Sequence, residues 1–393
     1  MKPRKILFWI HLSVGVTAGL IIGFIAATGC LLAFRPIVTP WMESSQNRVV
    51  IPAQPIRISL NRLAALAVAG SPGLSVTGVT LASDPEASVL FNLSGDQVRY
   101  LDPYRGKVLG LGAERTRSFF KEVEGLHRWF GLEGASRQMA RQVKGVVVLL
   151  FGFMILSGWV LWWPRSWTLA SFRASLVPGF KERAKARDWN WHNAIGFWFA
   201  PWLLLIVLTG LIMLYPWAND LLYTLSGNEP PPRQVQTQAA GSLEKGKNHS
   251  RPHRNGVEKH RVKAISSKPI SLDLLLADLN QEVPGWKSAS IHLPQGARRE
   301  VTVLTQEASS TRSFERGQLT LNAATGEVEK WEPYSAQNLG MKLRLWARFV
   351  HTGEAGGFWG ELLAALVAFG ALVMIWTGLA MAWRRFLGRS AKS

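Results

Sequence analysis

The sequence predicts a mainly α membrane protein with four transmembrane helices in two tandem repeats, each carrying a small periplasmic α+β module. Three observations predict this class. Four long apolar segments divide the chain, short patterns recur at the ends of these segments, and the two long segments outside the membrane share one order of elements.

Four apolar segments are each long enough to cross a bilayer, which takes roughly 18 or more apolar residues in a helix. They cover about Ile6–Phe34, Val143–Trp163, Ile195–Trp217 and Phe358–Trp383. The first exceeds the apolar run of about 7–15 residues found in a cleaved signal peptide, so we predict a retained helix. The single cysteine leaves no intramolecular disulfide, no thiolate metal cluster and no site for covalent haem attachment.

Lysine and arginine concentrate at both termini and between the second and third apolar segments, which places these three regions on the cytoplasmic side. The net charge of +19 is therefore interpreted as a topology signal, and no nucleic-acid motif is present. The predicted segments are a transmembrane helix at 1–35, a module at 36–125, a histidine- and glycine-containing segment with the second helix at 126–164, a basic cytoplasmic loop at 165–188, the third helix at 189–217, a linker (228–269) and second module within 218–345, and a second such histidine segment with the fourth helix and the cytoplasmic tail at 346–393.

The two modules repeat one pattern of elements. Each begins with an amphipathic helix, continues through alternating strand-like runs and closes on a glycine-containing turn, at Asp102–Val108 or Asn322–Val328. The predicted strands are Val76–Leu81, Val89–Leu93, Val98–Leu101, Ser288–His292, Glu300–Thr305 and Gln318–Leu321. The chain is therefore interpreted as an internal duplication.

A hydroxyl residue followed by glycine recurs near the end of each spanning segment, and an aromatic residue stands five positions after that glycine. The four pairs are Thr28-Gly29, Ser157-Gly158, Thr209-Gly210 and Thr377-Gly378. We interpret each as a small-residue packing site next to an interfacial aromatic side chain. The recurrence indicates that the four helices are related.

Four of the eight histidines, His11, His127, His192 and His351, each stand where the chain approaches one spanning helix. An ionisable residue at membrane depth is a functional hypothesis by default. His11 lies 17 positions before Thr28, and His192 lies 17 positions before Thr209. The equal spacing places the imidazoles of His11 and His192 at the same depth in the membrane.

Two pairs of neutral imidazoles suit two noncovalent b-type haems, each with an axial histidine on both faces. We predict that His11 pairs with His192, called the first pair, and that His127 pairs with His351, called the second pair. Gly15 and Gly196 follow the first pair by one helical turn and would clear the porphyrin edge. Zinc is a poorer fit because each level offers two ligands. Four interfacial histidines without a cofactor are the alternative interpretation.

Two arginines lie beside the second pair, Arg128 next to His127 and Arg348 one turn before His351. Such residues could bind haem propionates through paired hydrogen bonds, or attract an anionic ligand. Three further histidines, His249, His253 and His260, lie in the basic linker, which is interpreted as a solvated loop in preference to a metal site.

The chain resembles the PepSY-associated transmembrane family through His11-x-x-x-Gly15, Leu126-His127-Arg128, His351-Thr352-Gly353, the recurring Thr/Ser-Gly pairs and the closing turns of the modules. The second turn departs from the Asp-Pro-Tyr form of the first. The resemblance covers nearly the whole chain except the linker. It implies a bacterial inner (plasma) membrane protein with periplasmic modules, similar to iron-regulated proteins and haem-containing siderophore reductases.

The leading hypothesis is a di-haem b protein that passes electrons from a cytoplasmic or quinone donor to a periplasmic acceptor such as a ferric siderophore. The sequence has no Gly-rich dinucleotide fingerprint, so the donor is expected to be another molecule. The alternative is a non-enzymatic protein that binds a peptide or inhibits a peptidase. A transporter subunit is disfavoured because the helices show no broken-helix pattern and no buried acidic residue.

Overall fold

The computed structural model describes residues 3–163, 168, 173, 175–231, 271–294, 300–323 and 326–390. These residues divide into two compact units. The helical unit comprises Met1–Thr39, Arg115–Pro230 and Leu339–Ser393, and the sheet unit comprises Pro40–Glu114 and Pro231–Asn338. Helices and strands are numbered below in chain order.

Among the described residues, four helices are long and apolar enough to cross a membrane, which agrees with the predicted number of spans. They are α1 (Pro3–Leu32), α5 (Ser136–Trp162), α6 (Ala184–Leu214) and α10 (Gly357–Ser390). The third ends earlier than predicted because Pro216, which fits the first turn of a helix, begins a new one. The shorter helices beside them are α2 (Arg35–Met42), α4 (Glu114–Trp129), α7 (Pro216–Leu225) and α9 (Leu339–Thr352).

The spanning helices pack in a closed ring in which α1 and α6 each contact both α5 and α10. Small residues allow the backbones of neighbouring helices to come close together. A methyl group at Gly145 would overlap the Tyr215 hydroxyl group, and one at Gly370 would overlap the Phe199 ring. Such close packing supplies much of the attraction between helices in lipid, where burying apolar surface gains little.

Two carboxylates are buried within the spanning helices, with 2% of Asp188 and 7% of Glu361 exposed. Asp188 forms ion pairs with Arg187 and Arg384, which neutralise it. The expectation that these helices bury no acidic residue was therefore wrong. It failed because both residues lie near helix ends, where the sequence is typical of the membrane interface.

The sheet unit contains one antiparallel sheet of eight described strands in the order β4-β3-β2-β1-β5-β6-β7-β8. The strands are β1 (Val76–Ala82), β2 (Val89–Leu93), β3 (Val98–Leu101), β4 (Val108–Gly110), β5 (Ser288–His292), β6 (Glu300–Gln306), β7 (Gly317–Asn322) and β8 (Val328–Glu332). Each module contributes a helix followed by four consecutive strands, the shared order that the duplication predicts. Superposition of the two halves remains a prediction.

The two modules share a core as well as a sheet. Strand β1 pairs with β5, for example at Val79 and Ile291, and the buried side chains of both modules form one apolar cluster. Helices α3 (Leu60–Val68) and α8 (Leu272–Glu282) pack against this cluster and cap each other. Asp273 accepts hydrogen bonds from the backbone of Leu60 and Asn61, while the Asn61 side chain accepts one from Leu272.

The strand predictions agree with the structure to within one residue at each end. The sequence did not predict β4 and β8, which follow the closing turns at Gly106 and Gly326, or the joining of the modules through β1 and β5. Glycine takes a positive φ in both turns, 66° at Gly106 and 79° at Gly326. Strands β4 and β8 escaped prediction because they lie at the sheet edges with half-exposed residues, which weakens the alternation of apolar and polar side chains.

Candidate functional site

The second pair of histidines lies at the ends of two short helices, and each imidazole contacts one turn of a spanning helix. His127 Nδ1 lies 3.0 Å from Thr28 Oγ1 and 3.1 Å from the carbonyl oxygen of Ile25, both in α1. His351 Nδ1 lies 3.2 Å from Thr209 Oγ1 and 3.0 Å from the carbonyl oxygen of Ile206, both in α6. The two halves of the chain therefore hold the two imidazoles in the same way.

The first pair repeats this arrangement on the other two spanning helices. His192 Nδ1 lies 3.0 Å from the carbonyl oxygen of Met374 and 3.2 Å from Thr377 Oγ1, both in α10. His11 Nδ1 lies 2.8 Å from Ser157 Oγ in α5. All four of the recurring hydroxyl residues are thus bonded to a histidine.

These contacts fix which ring nitrogen carries the proton. Each hydroxyl group donates its own hydrogen to a carbonyl oxygen three or four residues earlier, as Thr28 does to Phe24 at 2.9 Å and Ser157 to Met154 at 3.2 Å. The hydroxyl oxygen can then only accept from Nδ1, and a backbone carbonyl can only accept as well. His127, His192 and His351, which each have a backbone carbonyl at Nδ1, are therefore Nδ1–H tautomers with the Nε2 lone pair available to a ligand, and the Ser157 hydroxyl favours the same tautomer at His11.

The glycine after each hydroxyl residue lies against the same imidazole ring. A methyl group at Gly29, Gly210 or Gly378 would stand 3.2–3.3 Å from the Cε1 atom of the bonded histidine, and one at Gly158 would stand 3.6 Å from that of His11. The interpretation of these pairs as plain packing sites is therefore corrected. The hydroxyl group orients the ring and the glycine makes room for it, and the fourfold recurrence was the signal in the sequence.

The structure brings together the histidines that were predicted to pair. His11 lies within electrostatic range of His192, and His127 lies within electrostatic range of His351. On α1 the two levels are marked by His11 and Thr28, which are 17 residues apart. At about 1.5 Å per residue the levels are separated by roughly 25 Å along the helix, close to the thickness of a hydrocarbon core.

Reversals of the chain bring the second pair to the spanning helices. Helix α4 ends just before two residues with positive φ, Phe130 at 54° and Gly131 at 75°, and α9 ends just before Gly353 at 86°. The sequence predicted that glycines let the chain fold back towards the membrane at this point, because His127 precedes the apolar part of its helix by about sixteen residues. It did not predict that α4 and α9 are helices that carry the two histidines.

Gly15 and Gly196 have a neighbour that the sequence did not indicate. A methyl group at Gly15 would stand 3.1 Å from the terminal carbon of Met154, and one at Gly196 would stand 3.3 Å from that of Met374. These methionines lie three residues before Ser157 and Thr377. The space beside each glycine is therefore lined by the end of a flexible side chain, and clearance for a porphyrin edge remains a prediction.

The arginines near the second pair form a charged cluster with carboxylates. Glu124 bridges Arg35 at 2.7 Å and Arg128 at 3.1 Å. Burial acts to raise the pKa of Glu124, but the charges and hydrogen bonds of the two arginines hold it below its usual value. Burial lowers the pKa of Arg348, while the charges of Glu354 and Glu124 raise it. Arg128 thus already has a carboxylate partner, with which a propionate would share it.

The donor set fits a planar cofactor that is ligated from both faces. Each level offers two half-buried imidazoles, oriented through Nδ1, and within the described ranges no hydrogen bond to an Nε2 atom of these four histidines is present. In the same ranges there is no group of three or more His, Cys, Asp or Glu side chains that could hold a metal ion, so the donors do not suit zinc. Haem iron takes one imidazole on each face, so these residues fit haem. The linker histidines at 249, 253 and 260 lie outside the described residues.

Comparison with known proteins gives one family. The family model described as "PepSY-associated TM region" matches residues 8–385. A search of curated proteins found no match. The matched region includes all four histidines and both modules of the sheet unit.

Proposed function

Since the chain belongs to the PepSY-associated TM family, we propose that it is a di-haem b electron-transfer protein of the bacterial inner membrane. In this proposal both termini are cytoplasmic and the sheet unit is periplasmic. Electrons come from a cytoplasmic or quinone donor and go to a periplasmic acceptor, such as the ferric iron of a siderophore.

One observation carries the proposal. Four half-buried imidazoles, two at each of two levels, each have a hydroxyl oxygen of a neighbouring helix at Nδ1, and three of them also have a backbone carbonyl oxygen there. Hydrogen bonds of this kind orient metal-ligating histidines and make them more basic. A hydroxyl contact at Nδ1 of all four histidines is expected if the imidazoles are ligands. It is not expected of interfacial histidines without a cofactor.

Each bound haem would supply one-electron chemistry between ferric and ferrous iron. The chain supplies the rest. His11 and His192 would hold one haem, and His127 and His351 the other. Arg128 and Arg348 would bind the propionates of the second, sharing their charge with Glu124 and Glu354. The glycines beside the imidazoles keep the rings in place, and the spanning helices keep water away from both levels.

An absorption spectrum and a haem assay of the purified protein test the proposal. We expect two haems b per chain. His11→Ala or His192→Ala should remove one, and His127→Ala or His351→Ala the other. His292→Ala, which changes a strand residue of the sheet unit, is the matched control and should retain both haems. Full haem content in all four variants, or no haem in the natural protein, would contradict the proposal. The second result would favour the peptide-binding alternative.

The acceptor is tested separately with the reduced protein. Chemically reduced protein is mixed with a ferric siderophore, and haem reoxidation is followed together with capture of ferrous iron by a chelator. We expect one ferrous ion for each electron lost by haem. Reoxidation by oxygen alone, with no ferrous iron formed, would exclude the siderophore while leaving haem binding intact.

A further inference from the structure

A single lysine, Lys144, lies beside the second pair. It belongs to the spanning helix α5, and its ammonium group donates a 2.9 Å hydrogen bond to the carbonyl oxygen of His127. That carbonyl is one of the last four of α4, which have no partner within their own helix. The charge of Lys144 acts on both His127 and His351. A half-buried cation in a spanning helix is energetically unfavourable, and by default it indicates a functional role.

The other half of the chain has no such lysine. Met154, Ser157 and Gly158 of α5 correspond to Met374, Thr377 and Gly378 of α10, an offset of 220 positions, and Lys144 then corresponds to Ala364. The packing of a spanning helix at this position therefore does not require a lysine. The ammonium group breaks the likeness between the halves at the second pair.

The first pair has a different electrostatic environment. His11 is affected by the charge of His192, and Asp188, one helical turn before His192, is paired with Arg187 and Arg384. At the second pair, Arg128 shares the carboxylate of Glu124 with Arg35, and Arg348 lies near Glu354 and Glu124. Lys144 forms no ion pair with a carboxylate of the described residues. Its positive charge therefore acts at this level without a carboxylate partner among the described residues.

We propose that Lys144 is the charge that holds the reduction potential at the second pair above that at the first, and so sets the direction of electron transfer. The inference rests on the proposed function. Reduction of haem iron removes one positive charge, so a nearby fixed cation favours the reduced form. Electrons then settle at the second pair, which in the proposed orientation is the periplasmic one.

Equilibrium redox titration of the complete, haem-loaded protein tests this inference, with optical and electron paramagnetic resonance detection to separate the two haems. Lys144→Gln keeps a hydrogen-bond donor and removes the charge, while Lys144→Arg keeps both. Lys185→Gln, at an exposed position near the start of α6, is the control for net charge.

In Lys144→Gln we expect the potential of the second-pair haem to fall, with a loss on the order of tenfold in the equilibrium ratio of reduced to oxidised haem at fixed potential. The first-pair haem should not shift. Lys144→Arg and Lys185→Gln should leave both haems unchanged. His127→Ala identifies the signal of the second-pair haem by its loss.

Three results would overturn the inference. The second-pair potential could be unchanged in Lys144→Gln, both haems could shift equally, or Lys144→Gln could lose the second haem while Lys144→Arg keeps it. In the last case the charge is needed for haem retention and not for setting the potential. A natural protein without haem would instead refute the proposed function.

Discussion

The acceptors around each imidazole are not equal at the four sites. His127, His192 and His351 each have a hydroxyl oxygen and a backbone carbonyl oxygen near Nδ1, whereas His11 has the hydroxyl of Ser157. A carbonyl cannot be removed by a side-chain substitution. The four sites should therefore differ in how strongly they depend on the hydroxyl group, although the sequence pattern at all four is the same.

Ser157→Ala should weaken haem binding at the first pair more than Thr28→Val weakens it at the second. The alanine leaves His11 Nδ1 without its acceptor, and such losses typically cost about 10–100-fold in metal affinity. Thr28→Val leaves the Ile25 carbonyl 3.1 Å from His127. Haem dissociation to apomyoglobin measures both effects.

Thr17→Val serves as the control, because among the described residues the Thr17 hydroxyl bonds to the backbone of its own helix alone, at Ser13 and Val14. It should lose haem at the natural rate. Equal loss from Ser157→Ala and Thr28→Val would show that the carbonyl does not support His127.

The turn between α9 and α10 positions His351. Gly353 has a φ of 86°, and a methyl group there would stand 2.6 Å from the carbonyl oxygen of Gly360. The positive φ favours glycine because the left-handed conformation costs other residues about 1–2 kcal/mol. The close contact also favours glycine, because the backbone of α10 cannot easily move away from an added methyl group. The helix that carries His351 is therefore tied to the start of a spanning helix.

Gly353→Ala should shift this turn, lower the thermal unfolding midpoint and reduce haem content at the second pair. Gly356→Ala provides the control within the same turn, because a methyl group at Gly356 would meet nothing within 4 Å. Unfolding scans in detergent together with the haem assay report both effects. A Gly353→Ala protein as stable as the Gly356→Ala protein would show that the turn adapts without moving His351.

Elements with strong periodicity could be predicted from the sequence, while those set by tertiary contacts could not. The four spans and six of the strands were predicted because a long apolar run is typical of a spanning helix and apolar-polar alternation is typical of a half-buried strand.

The sequence did not predict that Thr28, Ser157, Thr209 and Thr377 bond to histidines. A hydroxyl group in a spanning helix is ordinarily satisfied by its own backbone, and the histidine that also bonds to it lies about a hundred residues or more away in the chain.

At the scale of the whole molecule, the orientation in the membrane follows from the distribution of lysine and arginine. Reporter fusions after residues 166 and 393 should be active only with a reporter that works in the cytoplasm. A fusion after Asn228, between α7 and the linker, is the control and should be active only with a periplasmic reporter. Periplasmic activity at residue 166 or 393 would reverse the orientation and exchange the two levels of histidines.

The pairing of β1 with β5 bears on how such a chain could have arisen. In either module alone, that strand would be an open edge with free backbone donors and acceptors, which favours association with another chain. In the complete protein the two edges satisfy each other along Gly78–Ala82 and Ser288–His292. For a chain built from two copies, as the sequence predicts, a one-module ancestor would have closed its sheet by pairing with a second molecule. In that case the present protein is the covalent equivalent of a homodimer, and fusion would have allowed its halves to diverge at positions such as Lys144 and Ala364.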